Sequence, residues 1–209
     1  MSEPDALVAR ITITPENLER WFDSLIPPLE TWEQDWQDWI DWMIRAGYTF
    51  YGWKDSSAIC WRDFFDSSRY VEFRDNVRDH IDSCHIHRKY PVPDSIWVQT
   101  SYDEQTKIWR FLSIEVSENF GHMMALLAPF RAIEAFSESD KDDYVAFTNF
   151  FYSRGTEYSS AAVQFSDGKS FMLKDEKLPA SIMQDITYQF YKAEKERIIS
   201  AYNPDAWAD

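Results

Sequence analysis

Apolar positions come first in short β-branched runs and then in stripes of helical period. Residues 6–13 (ALVARITI) are a short, β-branched and mainly apolar stretch that reads as a first strand. Thr14-Pro15-Glu16-Asn17 follows as a helix start, with Thr14 as N-cap and Pro15 at the first helical position. That helix is expected to reach about residue 26 and to stop before Pro27-Pro28. A second is expected from about residue 29 to Arg45, closed by Gly47. Residues 48–62 mix aromatic and turn residues and suggest short strands, and 70–83 fit a surface helix. Pro91 and Pro93 punctuate the next connection.

Residues 96–102 and 107–116 are rich in aromatic and β-branched side chains. Joined by Asp103-Glu104-Gln105-Thr106, they predict an antiparallel hairpin. Residues 119–136 read as a helix that Pro129 kinks or divides. Ser139-Asp140 is read as the cap of a further helix reaching Tyr152, before Gly155. A second hairpin is written in 159–173 around the tight-turn signal Ser166-Asp167-Gly168-Lys169. A long amphipathic helix is expected from about residue 179 to 201, with Phe190, Ala193, Arg197 and Ala201 in line, and Pro204 ends it. Trp207, beyond it, is read as docking on the chain's own body. Hairpins and helices in mixed order, without βαβ alternation, predict an α+β fold. The expected architecture is an antiparallel sheet carrying several helices, one domain over 1–209 with a weak seam near 91–93.

Composition sharpens this picture. Of 209 residues, 44% are hydrophobic and 17% aromatic, enough for a sizeable core without disulfide or metal. Only two cysteines, Cys60 and Cys84, occur, which suits a reducing compartment. The first residues lack a basic and then apolar leader, and no apolar run has the length of a membrane span. A cytoplasmic location is therefore expected.

The net charge is −15. Residues 3–41 hold ten acids against Arg10 and Arg20, more than half of that excess. Such a field repels nucleic-acid phosphates and anionic membranes and draws in basic surfaces. Its other consequence is solubility alone.

The stretch 30–42 (ETWEQDWQDWIDW) is the most distinctive. At about 100° per residue, Trp32, Trp36 and Trp39 fall on one stripe with Trp42 at its edge. Glu30, Asp38 and Asp41 fall near the opposite side, Glu33 is intermediate, and Asp35 lies close to the Trp face. One reading makes the rings core and the acids a solvated face. The other makes the ridge a partner-binding surface, with Trp anchors and a rim of carboxylates that steers encounter.

No chemical site is assigned. Cys84, His85 and His87, with His80 before them, are metal-type ligands in one short segment, but zinc needs a second pair, and only Cys60 and His122 remain. Neither cysteine lies in a nucleophile signature. Acid pairs such as Asp35/Asp38 and Asp142/Asp143 carry little information on a chain this acidic. No Walker, GxGxxG, GxSxG, HExxH or EF-hand pattern occurs. No cofactor and no metal is expected.

In size, acidity, aromatic richness and α+β pattern the chain resembles the immunity proteins of bacterial polymorphic and contact-delivered toxin systems. The likeness is one of type and rests on no shared motif, so it gives no residue a role. It implies a protein that neutralises a cognate basic toxin domain by occluding its active-site cleft, with neither nucleic acid nor membrane as partner. The alternatives are a hydrolase using Asp or Glu with His85 or His122, and a structural adaptor of a phage or secretion apparatus.

Overall fold

A computed structural model describes residues 5–24, 29–45, 98–117, 120–138, 140–149, 159–174 and 178–202. Strand β1 (Asp5–Thr12) leads into helix α1 (Pro15–Asp23). A 3-10 turn (Leu29–Trp32) opens helix α2 (Glu33–Arg45). The hairpin β2 (Val98–Asp103) and β3 (Ile108–Ser117) follows, then helix α3 (Phe120–Ala132) and a 3-10 turn (Ile133–Ala135). Strands β4 (Tyr144–Asn149), β5 (Ser159–Ser166) and β6 (Lys169–Met172) precede helix α4 (Ala180–Tyr202).

The strands form one open antiparallel sheet in the order β2-β3-β1-β4-β5-β6. The fold is α+β, as the mixed order of hairpins and helices predicts. β1 is central, paired with both β3 and β4. Its alternate residues enter different layers. Leu7, Ala9 and Ile11 face a core shared with α1, α2 and α3, while Ala6 and Val8 face one shared with α4. Burial on both faces explains why residues 6–9 are apolar without alternation, while Arg10 and Thr12 further along are half-buried.

Thr14 caps α1 as expected, its Oγ1 accepting from the Asn17 amide at 3.2 Å, with Pro15 in the first turn. The first core is an aromatic stack: Trp21, Trp109, Phe111 and Phe130 have ring centroids 5.6–6.3 Å apart. The Trp21 indole N–H donates to the Pro129 carbonyl at 2.8 Å. Pro129 does not divide its helix, which continues to Ala132.

One expected element is corrected. The helix expected from Ser139-Asp140 onward is not formed in its described part: 144–149 are strand β4, between β1 and β5. Asp140 forms a turn, its Oδ1 accepting from the Asp142 amide at 2.9 Å, and a strand of Tyr, Val and Phe follows. Tyr144 faces the α4 core, Val145 and Phe147 the other, so β4 also lacks polar alternation and cannot be read by period alone. Residues 48–62 and 70–83, the seam near 91–93 and Trp207 lie outside the described residues.

Candidate functional site

Helix α2 packs its Trp stripe inward. Trp36 and Trp39 are buried completely, and Trp32, at the end of the preceding turn, nearly so. Trp42 is half-buried and packs against the same core. Three of the four proposed anchor rings are thus core, and they cannot anchor a partner without unfolding the helix from the sheet.

The acids divide. Asp35, the one acid on the Trp side, turns inward to Arg131 of α3, with Oδ2 2.9 Å from Nη2. Asp38 pairs with Lys174 at 3.2 Å and accepts from Gln34 at 2.6 Å. Those two interactions, Gln34 first, hold its carboxyl below the ordinary range. Asp41 is half-exposed and accepts from Gln37 at 3.0 Å; Glu33 is exposed. Glu30 lies in the 3-10 turn, and its side chain is outside the described set. The ridge is therefore not one coherent surface: two of its carboxylates are matched by the chain's own cations.

Arg131 organises this corner and was not singled out in the sequence. Its side chain is wholly buried, between the rings of Trp32 and Trp36, 5.1 and 4.6 Å from the guanidinium carbon. Nε donates to Ser170 Oγ at 3.0 Å and Nη2 to the Ser170 carbonyl at 2.9 Å. Burial lowers its pKa to about 10 against the opposing pull of Asp35 and Glu134, so it stays charged at neutral pH. Glu134 accepts from the Trp32 indole at 3.0 Å and from the Ser170 amide at 2.5 Å. The Met172 amide donates to Asp35 at 2.8 Å. The sequence did hold a clue, because an acid on a buried aromatic stripe needs a buried cation.

Together these contacts close one sheet edge. Leu173 donates its amide to Ala162, so β6 turns alternate backbone groups to β5 and leaves those of Ser170 and Met172 pointing out. Glu134 and Arg131 occupy the outward amide and carbonyl of Ser170, and Asp35 the amide of Met172. Edge strands left bare invite pairing with other chains, and side chains here remove that opportunity at β6.

The layer under α4 holds a second polar cluster. Asp185 accepts from Arg110 Nε at 3.0 Å, the Tyr144 hydroxyl at 2.9 Å and Gln189 at 2.8 Å. Burial first, and then Asp185, raises the Tyr144 phenol well above its ordinary pKa. Asp143, wholly buried, accepts from the Thr12 amide and hydroxyl at 2.9 Å, the Asp140 amide at 3.0 Å and Arg10 at 3.1 Å. Burial nonetheless pushes its carboxyl up. Both clusters saturate their carboxylates with internal donors, which is the behaviour of structural groups.

Beside α4 an open groove of about 500 Å³ runs along β2, with Arg110, Tyr188 and Lys192 on its wall. At the hairpin end of β2, the half-buried Tyr102 donates its hydroxyl to the Ile13 carbonyl at 3.0 Å. Burial raises its pKa first; Lys107 opposes, and Glu16, Glu138 and Glu104 raise it further. Carboxylates of three separate segments thus share one end of the molecule, with Lys107 among them, 2.8 Å from Glu138.

Among the described residues no group of three or more His, Cys, Asp or Glu side chains is placed to hold a metal. Cys60, His80, Cys84, His85 and His87 lie outside the described residues, and the His122 side chain is not among those described. No helix among the described residues is long and apolar enough to cross a membrane. No family model matches the chain, and neither the curated proteins nor the solved structures give a match.

Proposed function

We propose that this chain is a cytosolic immunity-type protein that neutralises a basic toxin domain by covering its active-site cleft. The observation that carries this role is the acidic end of the molecule: Glu16, Glu104 and Glu138 converge around Tyr102. Glu19 and Asp23 continue that surface along the exposed side of α1, at helical spacing from Glu16. Among the described residues, Arg20, which donates to Asn17, and Lys107, which pairs with Glu138, are cations beside them. An outward field of this sign accelerates encounter with a cationic cleft and disfavours phosphate-bearing competitors. The contact surface is thereby moved from the Trp ridge of α2, whose rings are core, to α1 and the β2–β3 hairpin end.

The test is binding of the purified chain to the C-terminal domain of the protein encoded immediately upstream of its gene, with that domain's toxic activity as second readout. Stoichiometric binding with loss of toxicity is expected. Absence of both would remove the role.

A further inference from the structure

The two edges of the sheet are treated differently. At β6 three outward backbone groups, the Ser170 amide and carbonyl and the Met172 amide, are taken by Glu134, Arg131 and Asp35. At β2 the register identifies the corresponding groups. The Ile13 amide donates to the Lys107 carbonyl, so Trp109 and Phe111 turn their backbone groups toward β1. Ile108, Arg110 and Leu112 therefore turn theirs toward β2, where they face Asp103, Ser101 and Gln99. What remains pointing out of the sheet is the N–H and C=O of Thr100 and Tyr102. Among the described residues nothing donates to or accepts from them.

The groove of about 500 Å³ lies along this stretch and includes both Thr100 and Tyr102 in its lining. Its wall on α4 carries Tyr188, 57% exposed, and the exposed Lys192. Unpaired groups two residues apart along a strand, roughly 6.6 Å, match the repeat of an incoming strand.

We infer that the β2 edge is where the partner docks, by adding an extended basic segment as a seventh strand along Thr100–Tyr102. This rests on the proposed role and names the surface through which it is exercised. Backbone hydrogen bonds would supply attachment, and alternate side chains selectivity. The choice of occupant follows from charge. A second copy of this chain brings its own net charge of −15 to the edge and is repelled. A basic segment finds Asp103 and Glu104, both exposed, at the hairpin end of the strand, with Glu16 and Glu138 nearby. Asp103 is held in its turn by the amides of Thr106 first and then Gln105, which lower its pKa and keep it charged.

The test uses two substitutions at one position and the upstream-encoded toxin domain as probe. Thr100→Pro removes an outward N–H while leaving the β2–β3 ladder intact, because proline is tolerated where an edge N–H faces solvent. It also removes the hydroxyl that accepts from the Trp109 indole at 2.8 Å. Thr100→Val removes the same hydroxyl and keeps the N–H. Expected are binding by Thr100→Val within about threefold of the unaltered chain and weakening by Thr100→Pro of about tenfold or more. In hydrogen exchange the amides of Thr100 and Tyr102 are expected to gain protection in the complex. If the unaltered chain binds while both variants bind equally and neither amide is protected, strand addition is overturned and the neutralising role stands. If the unaltered chain does not bind, both fall. Sedimentation showing a dimer abolished by Thr100→Pro would assign the edge to a second copy and overturn the proposed occupant.

Discussion

Arg131 has no exposed surface, yet it carries a charge, two flanking indoles and two carboxylate neighbours. Removing the guanidinium leaves a void between buried indoles and two part-buried carboxylates without their cation. Arg131→Ala is expected to destabilise the protein by about 3–5 kcal/mol, read as a lower urea midpoint at an unchanged slope. Tyr144 makes a second prediction, on pH. Its folded pKa lies well above the ordinary value of 10.0, so above that pH the folded phenol keeps a proton that the unfolded chain loses. The unfolded state then binds fewer protons, and stability must fall as pH rises past the unfolded value. The contribution is up to about 1.4 kcal/mol per pH unit. Tyr144→Phe should flatten the decline between pH 10 and 11 relative to the unaltered chain, measured by urea unfolding; an identical decline would exclude Tyr144 as its source. The sequence marked Asp35 as the acid out of place but could not supply Arg131, because a pairing 96 positions away is fixed by the sheet and not by local period.

The elements with local signals were legible. Thr14-Pro15 places the start of α1, and Ser166-Asp167-Gly168-Lys169 places the β5–β6 turn. In that turn Asp167 and Gly168 have φ of 51° and 73°, the left-handed pair of a tight hairpin. An added Cβ at Gly168 would meet no atom within 4 Å, so the cost of Gly168→Ala is purely conformational. About 1 kcal/mol of destabilisation is expected in thermal unfolding, without any change in the sheet. β4 was the element misread. Its acid-rich prelude imitates a helix cap, whereas Asp140 makes a turn and Asp143 accepts the Thr12 amide. Only the tertiary partner distinguishes the two, which is why a propensity-level reading failed at the strand beside the central one. The same limit applied to α2: helical period located the Trp stripe but could not say which face would be covered.

At the scale of the molecule, the proposed recognition would divide between long-range charge and the β2 edge. The excess of 15 negative charges acts at long range and is screened over about 8 Å at physiological salt. Backbone pairing at β2 acts only on contact. On the proposed mode, steering would set the association rate and strand addition the dissociation rate. Glu16→Lys combined with Glu104→Lys reverses two exposed carboxylates near the β2 edge without touching the core. The expected result, by surface plasmon resonance against the toxin domain, is an association rate lowered about tenfold at low salt, with a shallower dependence on salt. The dissociation rate should move little, whereas Thr100→Pro should raise it and leave association nearly unchanged. If the paired charge reversals and Thr100→Pro altered the same rate constant, the long-range field and the strand edge would not be separate devices. The acidic end would then itself be the site of contact.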